Sequence, residues 1–244
     1  MKRDETTAVS RSRDSDSLRT AFGREGCPIC TVVLESIEHF MDTWQYEGFS
    51  DVEHRQELIR SRGFCPLHTW QLAQHNAAFQ LAVVYGEVLT DIEGELNQEH
   101  QRHARANQST SVWKPWQRKR PDQFDTNSTY ARCPICKVRG NIEVRIVETL
   151  LEQLHSEEVR SLLSQSTGLC LMHFYQAYNW ASANDPSMLP PLLECQRTCV
   201  QRVLEELKEQ IRKHDYRFSD EPWGEEMVAW RRAAELCAGN PGIR

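Results

Sequence analysis

The chain has 244 residues, of which 39% are hydrophobic and 26% are charged, and its net charge is −6. This length is sufficient to bury a hydrophobic core without covalent help, and the composition excludes fibrous and wholly disordered proteins. The negative charge argues against a general nucleic-acid binder that is held by phosphate contacts.

The N-terminal segment lacks a targeting signal. Residues 1–17 are polar and mixed in charge, without the apolar stretch of a secretory signal peptide. No apolar run in the sequence approaches the roughly 20 residues that cross a bilayer. We therefore expect a cytoplasmic protein without a membrane partner, and a disordered N-terminus over residues 1–20.

Nine cysteines in a chain without an export signal indicate metal ligands or redox thiols before disulfides, because the cytosol keeps thiols reduced. Two motifs recur in the same order. Cys-Pro-Ile-Cys begins at Cys27 and again at Cys133; Gly-Phe-Cys-Pro-Leu-His begins at Gly63, and Gly-Leu-Cys-Leu-Met-His begins at Gly168. Two motifs repeated at offsets of 106 and 105 residues predict a duplicated module.

The repeat predicts the domain boundaries. A first helical module is expected over residues 21–106 and a second over residues 129–218, with a C-terminal helix and tail over residues 219–244. Residues 107–128 are interpreted as a linker. The linker contains the basic run from Arg118 to Arg120, which is too short for a polybasic signature.

The predicted elements of the first module are helices. After Cys30 the apolar residues have helical spacing, and a short helix is expected from Val52 to Arg60, opened by Ser50 and closed by Gly63. The Cys-x-x-His motif then begins another helix. A long amphipathic segment follows, from Phe79 to Leu96.

The second module follows the same order. A helix is expected after Cys136, a short helix between Ser156 and Gly168, and a long one from Leu189 to Ile211. A closing helix is expected from Glu225 to Ala238. Since no alternating strand pattern of useful length occurs, the predicted fold is all-α: two duplicated helical modules, each organised by a Cys3His metal site, plus a C-terminal helix.

The two motifs together supply the ligands of tetrahedral zinc sites. Zn²⁺ prefers four thiolate or imidazole ligands, and two short chelates joined by a longer loop provide them at modest entropic cost. We predict two zinc ions per chain, each held within one module. The first set is Cys27, Cys30, Cys65 and His68, and the second is Cys133, Cys136, Cys170 and His173.

Other uses of these cysteines remain open. An Fe–S cluster could take the same sulfurs, although one histidine per site favours zinc. A dithiol redox centre would normally accompany a βαβ pattern, which is lacking here, and disulfides conflict with an intracellular chain. Cys195, Cys199 and Cys237 have no counterpart in the repeat and are predicted to be small buried residues.

Candidate chemistry outside the eight ligands is sparse. Glu152 and His155 match half of a di-iron motif, but no second copy exists, and His100 and His103 lie in a polar stretch. We find no nucleophile elbow, phosphate loop or nucleotide fingerprint. The sequence therefore gives no catalytic residues.

The paired Cys-Pro-x-Cys and Gly-x-Cys-x-x-His motifs, with the tail that begins Trp230-Arg231-Arg232, resemble an uncharacterised bacterial family classed as a domain of unknown function. The resemblance covers the chain from Gly26 to Gly239. It implies a soluble bacterial or archaeal protein and supplies no activity.

We expect a zinc-stabilised, non-enzymatic protein that binds another macromolecule, a protein rather than a nucleic acid. Two alternatives stay open: a thiol-based metal or redox sensor, and nucleic-acid binding through Arg118–Arg120 together with Arg11 and Arg13. An enzyme would require a cleft that gathers residues which the sequence alone does not bring together. The oligomeric state is not predicted.

Overall fold

A computed structural model describes the chain over residues 2–108 and 133–243. Within these two ranges it forms ten α-helices and no strand, so the predicted all-α fold class is confirmed. In chain order the helices are α1 (Lys2–Phe22), α2 (Pro28–Tyr46), α3 (Val52–Arg60), α4 (Pro66–Gln74), α5 (Ala78–Gln108), α6 (Pro134–Gln153), α7 (Glu157–Gln165), α8 (Leu171–Asn184), α9 (Leu189–Lys213) and α10 (Ala229–Ala238).

Nearly all of the predicted linker, 107–128, lies outside the described residues, including its basic run from Arg118 to Arg120. Among the helices that are described, none is long and apolar enough to cross a membrane.

The chain divides into two compact units that do not coincide with the predicted modules. Unit 1 contains the described residues up to Ser36 and those from Arg139 onward, whereas unit 2 contains those from Ile37 to Val138. The division falls inside helices α2 and α6. Each unit therefore combines segments from both halves of the sequence.

The N-terminal segment differs from the expected disorder over residues 1–20, because α1 is a helix that packs on unit 1. Its residues Leu18, Ala21 and Phe22 are buried. Asp14 is also buried, and its carboxylate accepts two hydrogen bonds from Arg145, at 2.6 and 3.2 Å. Only three apolar residues mark the buried face of this otherwise polar segment. So short an apolar pattern does not predict a helix from the sequence.

Unit 1 is centred on helix α9, which packs against α7, α8 and α10. Its core consists mainly of aliphatic side chains from α6, α7 and the turn between them, with less than 2% of their surface exposed: Ile146, Leu150, Leu151, Leu154 and Leu163. The predicted closing helix begins as a 3₁₀ turn at Glu225–Val228, continues as α10 and ends at Gly239, whose φ is +86°.

Unit 2 is built on helix α5, which packs against α3 and α4. Trp44 and Phe64 meet edge to face in its core, with ring centroids 5.0 Å apart. The predicted helix over Val52–Arg60 is confirmed, but its N-cap is Asp51 instead of Ser50. The Asp51 carboxylate accepts hydrogen bonds from the backbone N–H groups of Glu53 and His54.

Candidate metal centres

All eight predicted ligands lie at helix N-termini. The first cysteine of each chelate immediately precedes a helix, and its carbonyl accepts a hydrogen bond from the backbone N–H four residues later. The four chelates begin α2 at Cys27, α4 at Cys65, α6 at Cys133 and α8 at Cys170. Because a helix N-terminus carries partial positive charge, each chelate favours the thiolate form that binds metal.

Site I consists of Cys27, Cys30, Cys170 and His173, all four of them buried in unit 1. Nδ1 of His173 lies 3.3 Å from Sγ of both Cys30 and Cys170, and 3.5 Å from Sγ of Cys27. The sulfurs of Cys30 and Cys170 are 3.7 Å apart. The four donor atoms converge on one point and could hold a metal ion.

Site II consists of Cys65, His68, Cys133 and Cys136 in unit 2. Nδ1 of His68 lies 3.1, 3.5 and 3.4 Å from the sulfurs of Cys65, Cys133 and Cys136, in that order. Cys136 is half-buried, while the other three ligands are buried. This set could also hold a metal ion, and one of its ligands is open to solvent.

The predicted division of the eight ligands into two sets is wrong. The structure joins Cys27 and Cys30 to Cys170 and His173, not to Cys65 and His68, and the other four ligands form the second set. Each site thus takes its Cys-x-x-Cys pair from one copy of the sequence motif and its Cys-x-x-His pair from the other.

Loop length could not have revealed this exchange. The exchanged pairing places Cys30 and Cys170 140 residues apart, four times the separation of Cys30 and Cys65. Loop-closure cost rises by only about 0.6 kcal/mol for each doubling of loop length, so two doublings add about 1.2 kcal/mol. A difference of this size is small beside the energy of packing helices, which decides the pairing.

The two Cys-x-x-His chelates have nearly the same local conformation. The glycine two residues before the cysteine has a positive φ in both, +92° at Gly63 and +91° at Gly168, which confirms the predicted left-handed turn. A long helix then covers each turn with a different side chain. The amide of Gln196 bonds both the N–H and the carbonyl of Leu169, whereas in unit 2 the ring of Tyr85 covers Gly63.

The C-terminal tail covers site I. The Asn240 side chain accepts a hydrogen bond from the backbone N–H of Cys27 at 2.8 Å and donates one to Thr31 at 3.2 Å. A Cβ at Gly239 would lie 3.4 Å from Sγ of Cys30, so a side chain there would press on the ligand. Ile243, only 2% exposed, anchors the end of the tail in unit 1. The tail therefore separates site I from solvent.

Glu143 faces the far side of His173 in site I. Its Oε1 lies 3.9 Å from Nε2 of His173, and both atoms are buried without a hydrogen-bond partner. Burial opposes ionisation of Glu143, but His173 and the neighbouring Arg139 outweigh this and hold its pKa below the ordinary value. When Nδ1 binds a metal, Nε2 carries the proton, and a carboxylate facing it orients the ring. The sequence motif aligns Glu143 with Ile37, so this carboxylate has no equivalent at the aligned position of the first copy.

Burial shapes the protonation of both sites. It raises the pKa of the Cys27 thiol well above its ordinary value and, together with the neighbouring sulfurs, raises the pKa of Cys136 to about 12. In site I burial opposes protonation of His173, but its contacts with Cys170 and Cys30 raise its pKa to about 11. Three thiolates cannot share one buried position without a cation, and a divalent metal supplies that charge.

The three other cysteines differ from one another. Cys195 and Cys199 are buried, as predicted, and their thiols contact the backbone carbonyls of Arg160 and Leu163. Burial raises the pKa of Cys199 to about 11. Cys237 is exposed at the end of α10, so its predicted burial is wrong.

The family DUF6062, described as a family of unknown function, matches residues 18–241. The chain belongs to this family. Its motif resemblance to a family of unknown function is thereby confirmed. No curated protein and no solved structure matches the chain.

Sequence reasoning missed the residues around the ligands, namely Glu143, Gln196 and Asn240. One of them left a signal: Glu143 is a charged residue between the buried Ile142 and Ile146 of α6. Gln196 and Asn240 left none, because their roles depend on backbone groups that only the fold brings near them.

The pairing of the ligands can be tested with two double variants. We expect Cys30→Ser/Cys170→Ser to lose one metal ion per chain, because both substitutions fall in site I, and Cys30→Ser/Cys65→Ser to lose both ions. Native mass spectrometry of the purified variants counts the bound metal. The within-module pairing predicts the reverse result for the two variants, so either outcome decides between them.

The Glu143→Gln variant should weaken metal binding at site I. Loss of the carboxylate that faces Nε2 of His173 is expected to lower the affinity of that site by roughly 10- to 100-fold. Competition with a chromophoric chelator measures the affinities, and site II in the same molecule is the internal control. Equal weakening of both sites, or of neither, would contradict the assigned role of Glu143.

Proposed function

We propose that the protein is a non-enzymatic, zinc-binding helical protein in which two structural Cys3His sites hold a surface for binding another macromolecule. The observation that carries the proposal is the completeness of both quartets, in which all four donor atoms lie within 4.8 Å of one another. Four protein ligands fill a tetrahedron, which is typical of structural zinc; catalytic zinc keeps an open position.

The distances between the donor atoms support zinc. In a zinc tetrahedron two sulfurs lie about 3.8 Å apart and a sulfur and a nitrogen about 3.6 Å apart, given bonds of about 2.3 and 2.05 Å. Two sulfur pairs across the chelates are 3.7 and 3.6 Å apart, close to the first value, whereas the sulfur–nitrogen distances, 3.1 to 3.5 Å, are shorter than the second. Such sulfurs are too far apart for disulfides, whose bond is about 2.05 Å. Sulfur and imidazole ligands also exclude the hard cations Mg²⁺ and Ca²⁺ as natural occupants.

We take the chain to be a tandem duplication. Because the two copies exchange their ligand pairs, each metal ion would also connect one copy to the other. Each ion connects two chain segments that are distant in sequence, since site I closes a separation of 140 residues and site II one of 71. A structural zinc site contributes about 10–16 kcal/mol of apparent binding energy, which exceeds the stability of a typical domain. Loss of either ion should therefore damage both copies of the motif.

A cavity in the described part of unit 1 contains a cysteine without a histidine partner. A cavity of about 490 Å³ in unit 1 is lined by Arg160, Pro190, Glu194 and Cys195 among others. Cys195 contacts a backbone carbonyl there, and no histidine lines this cavity to act as its base. Cys195 therefore lacks the neighbouring imidazole that would activate it as a nucleophile.

Metal analysis and chelation test the proposal together. Protein expressed in minimal medium should contain two zinc ions per chain, and their removal by a strong chelator should cause cooperative loss of helix, measured by circular dichroism. Restoring zinc should restore the helices. A chain that stays fully helical without metal would contradict the structural role, and iron with visible absorbance would contradict zinc.

A second candidate function is a thiol-based sensor, and one observation favours it. Cys136 of site II is half-buried, whereas site I is fully buried and covered by the C-terminal tail. Oxidation of a zinc-bound thiolate releases the metal, so an oxidant that reaches only one site would release only one ion.

Low concentrations of peroxide distinguish this candidate from the first. A sensor should release about one zinc ion per chain, and the released ion should come from site II, because only Cys136 is accessible there. A zinc-sensitive dye measures the release, and mass spectrometry locates the oxidised cysteine. The Cys237→Ser variant is the control, because it lacks the exposed thiol that lies outside both sites and should release the same zinc ion. In the unsubstituted protein, retention of both ions after Cys237 has been oxidised would eliminate the sensor.

A further inference from the structure

Helix α9 has a second apolar face that is exposed on the described surface of unit 1. Leu193, Val200, Leu204 and Ile211 are 45%, 36%, 48% and 69% exposed. Arg197 and the half-buried Leu207 lie on the same face. The six residues follow one another at alternating steps of four and three residues. This is the heptad spacing of a coiled coil, with Leu193, Val200 and Leu207 at d and Arg197, Leu204 and Ile211 at a.

The stripe is specific to α9. Alignment of Glu95-Leu96 with Glu206-Leu207 places α5 beside α9 in the sequence, and the stripe positions Arg197, Leu204 and Ile211 then align with Gly86, Glu93 and His100. The corresponding face of α5 is therefore interrupted at all three a positions. A stripe with five apolar residues in six positions is not a general feature of these long helices and needs its own explanation.

We propose that this stripe, from Leu193 to Ile211, binds the same stripe of a second copy of the chain as an antiparallel two-helix coiled coil. In this arrangement Leu193 faces Ile211 of the second copy, Val200 faces Leu204, and Arg197 faces Leu207. Each of these three layers occurs twice because the pairing is symmetric. The inference concerns self-association and stands independently of the proposed zinc-dependent function.

The flanking charges select the antiparallel direction. Antiparallel helices bring their e positions together on one flank of the seam and their g positions together on the other, and on α9 the e residues are Glu194, Gln201 and Lys208. Gln201 meets its own equivalent at the centre, so Glu194 of each copy, which also pairs with Arg197 of its own chain at 2.7 Å, meets Lys208 of the other. Two pairs of opposite charge result, and they fix the register.

The parallel arrangement is disfavoured by the same residues. Both flanks of a parallel pair consist of contacts between e and g positions, whereas an antiparallel pair confines the g positions to one flank; the g residues Gln196, Val203 and Gln210 are buried in their own unit. Gln196 and Gln210 are also hydrogen-bonded there, to Leu169 and to the segment around Met227. Parallel pairing would further place Arg197 against Arg197, where two like charges would repel.

The size of the stripe sets the expected affinity. Nineteen residues of helix span about 28 Å, and one helix face of this length is smaller than the roughly 800 Å² per partner of a standard interface. We therefore expect a concentration-dependent dimer with a Kd on the order of micromolar.

Sedimentation velocity of the full-length, metal-loaded protein from about 1 to 200 μM tests the proposal. Leu204→Glu should weaken the dimer at least about tenfold, because it places a charge against Val200 of the second copy. Leu89→Glu is the matched control: it adds the same charge to an exposed leucine of α5 and should leave the dimer unchanged. Circular dichroism and metal content confirm that each variant is folded.

A charge reversal tests the direction of pairing. Lys208→Glu should weaken the dimer by roughly three- to tenfold, because it places two carboxylates opposite each other, whereas Lys208→Arg should keep the Kd within about twofold. Glu194 is left unchanged in this test because it also pairs with Arg197 of its own chain. A monomer at every concentration overturns the proposal, even if the stripe binds a different molecule. A dimer that is insensitive to Leu204→Glu, or to Lys208→Glu, overturns it as well.

Discussion

Both units depend on the same constraint: a Cys-x-x-Cys pair and a Cys-x-x-His pair must meet at one point, each from the N-terminus of a helix. Site I imposes it on α2 and α8, and site II imposes it on α4 and α6. A displaced helix would separate buried thiols from the ligands that complete their coordination. Burial of three thiolates is tolerable only where a divalent cation balances their charge, so under the proposed function a bound metal and the packing around it would stabilise each other.

The two sites have the same ligands but different surroundings. Site I is covered by Asn240 and the end of the C-terminal tail, and Glu143 faces its histidine. Site II has a half-buried ligand, Cys136, and the sequence motif places Ile37 where site I has Glu143. Under the proposed function both ions stabilise the fold, and under the alternative sensor function the partly exposed Cys136 would make site II the one that reacts first.

Exchange of the ligand pairs changes how the halves of the chain depend on each other. If each half held its own metal, either could fold alone. In the structure site I joins residues 140 positions apart, whereas all four residues of site II lie within the continuous segment of unit 2. Folding of unit 1 is therefore expected to require both ends of the chain, while unit 2 contains all the residues of its own site. The apolar stripe of α9 contains none of the eight residues of the two quartets, so self-association can be tested without substituting any of them.

The sequence by itself determined the helical class, the identity of all eight ligands and the left-handed turns at Gly63 and Gly168. These features follow from spacing and from residue type, which act over one or two helical turns. Only the tertiary structure decided which chelates share a site, because loop closure discriminates too weakly between near and distant partners. The helical state of the N-terminal segment and the roles of Glu143, Gln196 and Asn240 were decided in the same way, since each depends on groups that packing brings together from distant parts of the chain.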